Sequence, residues 1–210
     1  MTPLKLLKQV VGELQTHSGK YAIAGGLAAS FYRAQPRLTN DVDIALAVGS
    51  YEKSKQVAID VIEAVGYDAA LDWIYTGEKR ATKPAPMIIG RHHKNDLDGT
   101  VDFLLPAFPW VKNAVKRAQD HIIDFGFAKL PTITPEDLLL AKALALEIEP
   151  NRFQDMDDIK SIFAARNALD LTYLVNECDR LKLAFPFVLH AYLPSALRRV
   201  SQARFSSKHA

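Results

Sequence analysis

At 210 residues the chain corresponds to about 1.4 domains, which excludes a large multidomain assembly and predicts one medium-sized domain or a core with a helical extension. Apolar residues make up 49% and charged residues 24%, an ordinary globular composition that excludes a chain remaining disordered. The formal net charge of +2 excludes a polycation, although six basic and no acidic residues fall between Arg180 and Ala210 and mark a locally basic tail.

Leu4, Leu7, Val10, Val11 and Leu14 recur at helical spacing and predict an amphipathic helix over 3–17, ending near Ser18-Gly19. Lys5, Lys8 and Glu13 interrupt its apolar character, which argues against a secretory signal. Tyr21 to Ala24 suits a buried strand, Gly25-Gly26 a turn, and Leu27 to about Arg33 a small-residue helix ended by Gln35-Pro36. The longest nearly apolar stretch, Tyr21 to Phe31, is well short of the roughly 20 residues a membrane helix requires, so a soluble protein with no membrane partner is expected. Asp41 to Val48 alternates as a second strand, and Tyr51 to Val65 returns to helical spacing. Residues 76–86, with two prolines and three basic residues, read as an exposed loop. Met87 to His92 and Thr100 to Leu105 are strands that would pair as a hairpin through 94–99.

Val111 to Ala118 predicts a short helix and His121 to Leu130 a strand. Thr134-Pro135-Glu136-Asp137 announces a helix with Thr134 as its cap. The chain is then helical to about Leu183, with breaks at Pro150 and around 168–170. The expected organisation is an α/β core over 1–130 and a helical C-terminal region with a basic tail over 131–210. Cys178 is the only cysteine, which excludes an intrachain disulfide and fits a reducing cytoplasm.

The chemistry concentrates in residues 22–46. Asp41 and Asp43 stand two apart in a predicted strand, so both carboxylates would leave one face while Val42 and Ile44 enter the core. Two neighbouring anions raise each other's pKa unless a cation compensates them. Mg²⁺, which pairs one or two carboxylates with substrate phosphates, is a natural compensator. Asp102 is a third lone charge in an apolar strand, and the three suggest one metal site. The plain alternative for Asp-x-Asp is backbone capping at a strand end. Gly25-Gly26, between strand and helix, is placed to admit a phosphate to free helix N–H groups, or serves as simple punctuation.

Gly25-Gly26, then Arg37-x-Thr39-x-Asp41-Val42-Asp43-Ile44, then Val101-Asp102-Phe103-Leu104 resembles the nucleotidyltransferase superfamily of DNA polymerase β type. More narrowly it is similar to the AbiEii/AbiGii-like nucleotidyltransferases of bacterial abortive-infection and toxin–antitoxin systems. Asp137-x-x-x-x-Lys142 and Arg152-x-x-Asp155-x-x-Asp158-Ile159 resemble later motifs of that branch. The resemblance implies an α+β fold, with a polymerase-β-like core of mixed sheet flanked by helices and a C-terminal helical part closing one side of a cleft. It implies Asp41, Asp43 and Asp102 as the catalytic ligands of two Mg²⁺ ions. Gly25, Gly26, Arg37, Thr39 and Lys142 would bind a nucleoside triphosphate such as ATP. An NMP would pass to an acceptor hydroxyl on tRNA or protein, with pyrophosphate released, and a cognate antitoxin is a candidate partner. An aminoglycoside-type small-molecule acceptor and a non-catalytic binding module are the competing readings. Leu27, where many members of the superfamily carry Ser or Thr after the glycines, is the departure that favours the last of these.

Secondary candidates carry weaker signals. Arg37 suits either a phosphate or a salt bridge to Asp41, and Lys142 either the site or solvent. Asp155 and Asp158, with Arg152 a turn earlier, suit a helix start and an Arg–Asp pair, with Lys142 as a further partner. His92 and His93 are adjacent and would face opposite ways in a strand, poor geometry for one ion. Lys79, Arg80, Lys83, Arg91 and Lys94, together with the basic tail, suit either polyanion contact or plain solvation.

Overall fold

The computed structural model describes residues 1–17, 19–72, 85–92, 99–165 and 168–208, the side chains of 204–208 excepted. Of the loop expected over 76–86, residues 76–84, with Lys79, Arg80 and Lys83, lie outside the described residues, as do His93 and Lys94, while Ala85 and Pro86 are buried rather than exposed. The chain divides into two compact units, one of Met1–Ala28 with Arg37–Thr134 and one of Ala29–Pro36 with Pro135–Ala210.

The first unit opens with α1 (Pro3–Leu14), started by Pro3 and capped by Thr2, whose hydroxyl accepts a hydrogen bond from the Lys5 amide. Its Leu6, Leu7, Val10, Val11 and Leu14 are buried, as the spacing requires. Then come β1 (Lys20–Ile23), α2 (Gly25–Tyr32), β2 (Val42–Ala47), α3 (Tyr51–Ala64), β3 (Asp68–Asp72), β4 (Met87–Arg91) and β5 (Val101–Leu104). The five strands form one mixed sheet in the order β1-β2-β5-β4-β3. Only β2 and β5 run parallel; β1–β2, β5–β4 and β4–β3 are antiparallel. The register aligns Ile23, Ile44, Phe103 and Ile88 in one row across four strands, all fully buried in a core shared with α1 and α3. Burying such a row stabilises the sheet by about 1.5–3 kcal/mol per large side chain. Helix α4 (Val111–Ala118) packs against β1 and β2.

Three differences from the sequence expectations have physical causes. Strand β3 has no apolar alternation in DAALD, and it pairs through its backbone with β4. The single strand expected over 121–130 is a hairpin of β6 (Ile122–Asp124) and β7 (Lys129–Pro131). Gly126 at φ +84° turns the chain there, and its amide donates to Asp124 Oδ1 at 2.8 Å. The glycine pair forms the first turn of α2 rather than a separate turn before it.

The second unit is helical: α5 (Pro135–Ile148), α6 (Phe153–Ala164), α7 (Leu171–Leu181), a 3₁₀ turn at Phe187–Leu189, and α8 (Ser195–Lys208). The breaks fall at Pro150 and just before Leu171, where Asp170 caps α7 by accepting from the Tyr173 amide at 2.9 Å. Helix α5 packs against α6 and α7, and α7 against α8. Among the described residues no helix is long and apolar enough to cross a membrane.

Candidate active site

Asp43 and Asp102 are register partners on the parallel strands β2 and β5. Adjacent strands are about 4.8 Å apart and register partners share a face, so the two carboxyl groups stand side by side. Their neighbours Val42, Ile44, Val101 and Phe103 are fully buried on the opposite face. The alternation that hides the valines and the phenylalanine therefore presents the two acids together.

The glycines fit around Asp43. A Cβ on Gly25 would lie 1.8 Å from Asp43 Oδ2, and Gly25 adopts φ +54°, so both space and backbone demand glycine here. The Gly26 amide, at the start of α2, donates to Asp43 Oδ2 at 3.3 Å. A Cβ on Gly26 would fall 2.6 Å from Thr39 Oγ1 and 3.1 Å from an Arg37 Nη, which places both side chains against the first turn of α2. Arg37 Nη1 also donates to the Leu38 carbonyl at 3.1 Å. The glycine pair thus lets a carboxylate, a hydroxyl and a guanidinium close on one helix N-terminus.

Asp41 lies one residue before β2, outside the strand to which its spacing assigned it. Its Oδ1 accepts from the Thr100 amide at 3.0 Å, and the Val42 amide donates to the Thr100 carbonyl at 2.9 Å. Asp41 therefore ties the start of β2 to the start of β5, the capping role that Asp-x-Asp also suggested. Its proximity still contributes to the potential at Asp102.

Asp102 carries the clearest electrostatic signature. Burial, reinforced by the charges of Asp43 and Asp41, pushes its carboxyl up to about 7, against a hydrogen bond from Thr100 and the nearby charge of Arg91. Its Oδ1 is buried and has no hydrogen-bond partner among the described residues. A buried carboxylate oxygen without a donor, beside a second carboxylate, is the arrangement a divalent cation satisfies. Among the described residues no three Asp, Glu, His or Cys side chains form a complete ligand set.

Leu27 is only 9% exposed and belongs to the hydrophobic core of the first unit. The position after the glycines points inward here, so a hydroxyl would be buried rather than offered to a ligand. Sequence reasoning missed Gly99 and Thr100. A Cβ on Gly99 would sit 1.6 Å from the Asn40 carbonyl oxygen, so the backbone at 99 must be bare for β5 to approach the Asp41 segment. The glycine directly before Thr-Val-Asp was the signal that could have found them.

Lys142 lies in the second unit, buried between Asp155 and Asp158 at 2.6 Å from each. Arg152 also pairs with Asp155, and Arg33 with Asp158 and Asp157. The network joins Lys142 of one later motif to Arg152, Asp155 and Asp158 of the other, with Asp158 fully buried within it, whereas Asp137 accepts a hydrogen bond from the Tyr173 hydroxyl at 2.7 Å. His92 stacks edge-on against Tyr67 at 5.3 Å between ring centroids.

No family model matches the chain, and no curated protein does. Among solved structures it is similar to the antibiotic-resistance factor ANT(2'')-Ia, at 12% identity and a TM-score of 0.55, with 98% of this chain and 94% of that one covered. An antigenic nucleotidyltransferase-like protein from Paracoccidioides brasiliensis aligns at 17% identity and a TM-score of 0.47, covering 93% of this chain and 92% of that one. With its mixed five-stranded sheet, the chain shares the fold of ANT(2'')-Ia.

Proposed function

We propose that the chain is a Mg²⁺-dependent nucleotidyltransferase that moves an NMP from a nucleoside triphosphate to an acceptor hydroxyl, releasing pyrophosphate. The observation that carries this reading is the paired Asp43 and Asp102, with a buried, unpartnered oxygen on Asp102, next to the glycine-built start of α2. Asp43 and Asp102, with Asp41 beside them, would hold the two divalent ions. When bound, those ions supply charge neutralisation at the phosphates and acidify the acceptor hydroxyl.

The chain's own residues account for the rest. The first turn of α2 offers a positive dipole end, and Arg37 a permanent cation, to the triphosphate. Thr39 fixes the packing of that turn, and Gly25 lets Asp43 approach it. In the reaction the acceptor oxygen forms a bond to the α-phosphorus while the bond to the bridging oxygen of the β-phosphate breaks, its electron pair leaving with pyrophosphate and the hydroxyl proton passing to water. Positioning and charge neutralisation carry the rate, as is general for phosphoryl transfer.

The residue motifs of both halves favour the AbiEii-like branch, with tRNA or protein as acceptor, a cytoplasmic site of action and a cognate antitoxin as partner. A small-molecule antibiotic acceptor is the second reading, favoured by the likeness to ANT(2'')-Ia. One experiment addresses both. The protein is incubated with Mg²⁺ and each NTP labelled at the α-phosphorus, with total RNA, cell lysate or an aminoglycoside panel, and the label is located. Label in RNA or protein supports the first reading and label only in the antibiotic supports the second. No incorporation anywhere removes the enzyme reading.

A further inference from the structure

The second unit carries a surface that the site chemistry does not use. Phe185 and Leu189 are fully buried and Leu193 nearly so, which anchors the 3₁₀ turn. The same segment holds Phe187 76%, Val188 59% and Tyr192 51% exposed. Large apolar side chains crowded on one short segment are uncommon on a solvated surface. Cations stand at one end of the segment. Lys160 Nζ lies 5.0 Å from the centroid of the Tyr192 ring, and Arg198 donates to the Leu193 carbonyl at 3.1 Å, at the end of the same segment. Lys182, Arg198 and Arg199 are exposed, and the sequence contains no Asp or Glu after Asp179.

Phe187 packs against the His190 ring at 5.0 Å between centroids yet stays 76% exposed. Exposed aromatic side chains beside cations, with Asp157, one turn before Lys160, the nearest exposed acid to that lysine in sequence, match one polymer closely. Single-stranded nucleic acid offers a phosphate chain for the cations and bases that stack on side-chain rings. A membrane surface fits less well, because the apolar groups sit on one turn rather than along a helix face. We infer that the segment 185–199, with Lys160, is a docking surface for single-stranded RNA, with Phe187 and Tyr192 as stacking platforms and Lys160, Arg198 and Arg199 as phosphate contacts. As the place where an RNA acceptor docks, the surface rests on the transferase reading; as an RNA-binding surface it does not.

The test is fluorescence anisotropy with an end-labelled, mixed-sequence single-stranded RNA of about twelve nucleotides, a length in the range such surfaces span. No nucleotide and no divalent cation is present, so the outcome is independent of catalysis. The full chain should bind, and Phe187→Ala/Tyr192→Ala should weaken binding at least tenfold with the circular dichroism spectrum unchanged. Arg199→Gln should lower the slope of log K against log salt by about 0.7, the value for one single-strand phosphate contact. Polyglutamate and anionic lipid vesicles should compete poorly. Wild-type affinity in the double aromatic variant, equal competition by polyglutamate or vesicles, or no binding at low salt would each overturn the inference. A protein that labels an acceptor yet ignores this RNA would sink the surface and leave the transferase reading standing.

Discussion

Asp43 and Asp102, far apart in the sequence, meet as register partners across the single parallel strand pair of the described sheet. Parallel pairing requires a long crossover, here containing α3, β3 and β4, and the crossover is what returns the chain to this position. The pairing sets two acids together where a lone one would be merely a buried, protonated carboxyl.

Asp102 should make the metal-free protein less stable as pH rises. Its carboxyl titrates at about 7 when folded and near 3.8 in the unfolded chain, so between these values the native state binds the extra proton. Its favourable contribution is complete below pH 3.8 and is lost as pH rises through about 7. In EDTA at pH 8, Asp102→Asn should therefore be more stable than wild type by on the order of 2–4 kcal/mol, measured by urea unfolding. Equal stability at pH 8 would contradict the assigned electrostatics.

Mg²⁺ should offset that deficit. A cation that binds the native site stabilises it by about 2.7 kcal/mol at a hundredfold excess over its Kd. Thermal unfolding with added Mg²⁺ and a non-hydrolysable NTP should show a raised Tm for wild type and little change for Asp43→Asn or Asp102→Asn. An equal rise in all three proteins would place the ion elsewhere.

Gly25→Ala should abolish activity more thoroughly than it unfolds the protein. The added Cβ collides with the Asp43 carboxylate at 1.8 Å, and the position also needs φ +54°. Gly66, at φ +82° with no heavy atom within 4 Å of where a Cβ would stand, supplies the control for backbone strain alone. Gly66→Ala should cost about 1 kcal/mol and leave turnover intact. Gly25→Ala should lose turnover at least a hundredfold in the labelled-NTP assay.

Lys142→Ala should behave as a stability variant. It leaves Asp158, fully buried, and Asp155 short of a cation, a change that costs about 3–5 kcal/mol in comparable buried pairs. Chemical denaturation measures the loss directly. A stable Lys142→Ala protein with a raised KM for the nucleotide would instead assign Lys142 to the substrate.

Much of this architecture was legible because it rests on local patterns. The apolar period of α1, the alternation of β2 and β5, and the Pro135 helix start each express a residue's immediate neighbours. The acids Asp43 and Asp102 stood out because a charge in an apolar strand needs a reason. The unreadable parts depend on partners distant in sequence. Strand β3 follows from the backbone edge that β4 offers, not from DAALD. The role of Asp41 depends on the Thr100 amide, 59 residues away, and Leu27 could be placed in the core only once the packing around α2 was known. The pairing of Arg33 with Asp158 spans 125 residues and has no local signature at all.

Transfer of label from the α-phosphorus of an NTP, compared between wild type and folded Asp102→Asn in Mg²⁺, tests the metal-assisted transferase most directly. Wild type should give an α-labelled product and none from the γ-position, and the variant should lose at least a thousandfold, in the range of about 4 kcal/mol or more of transition-state stabilisation. Transfer by Asp102→Asn at the wild-type rate would contradict the paired-acid site.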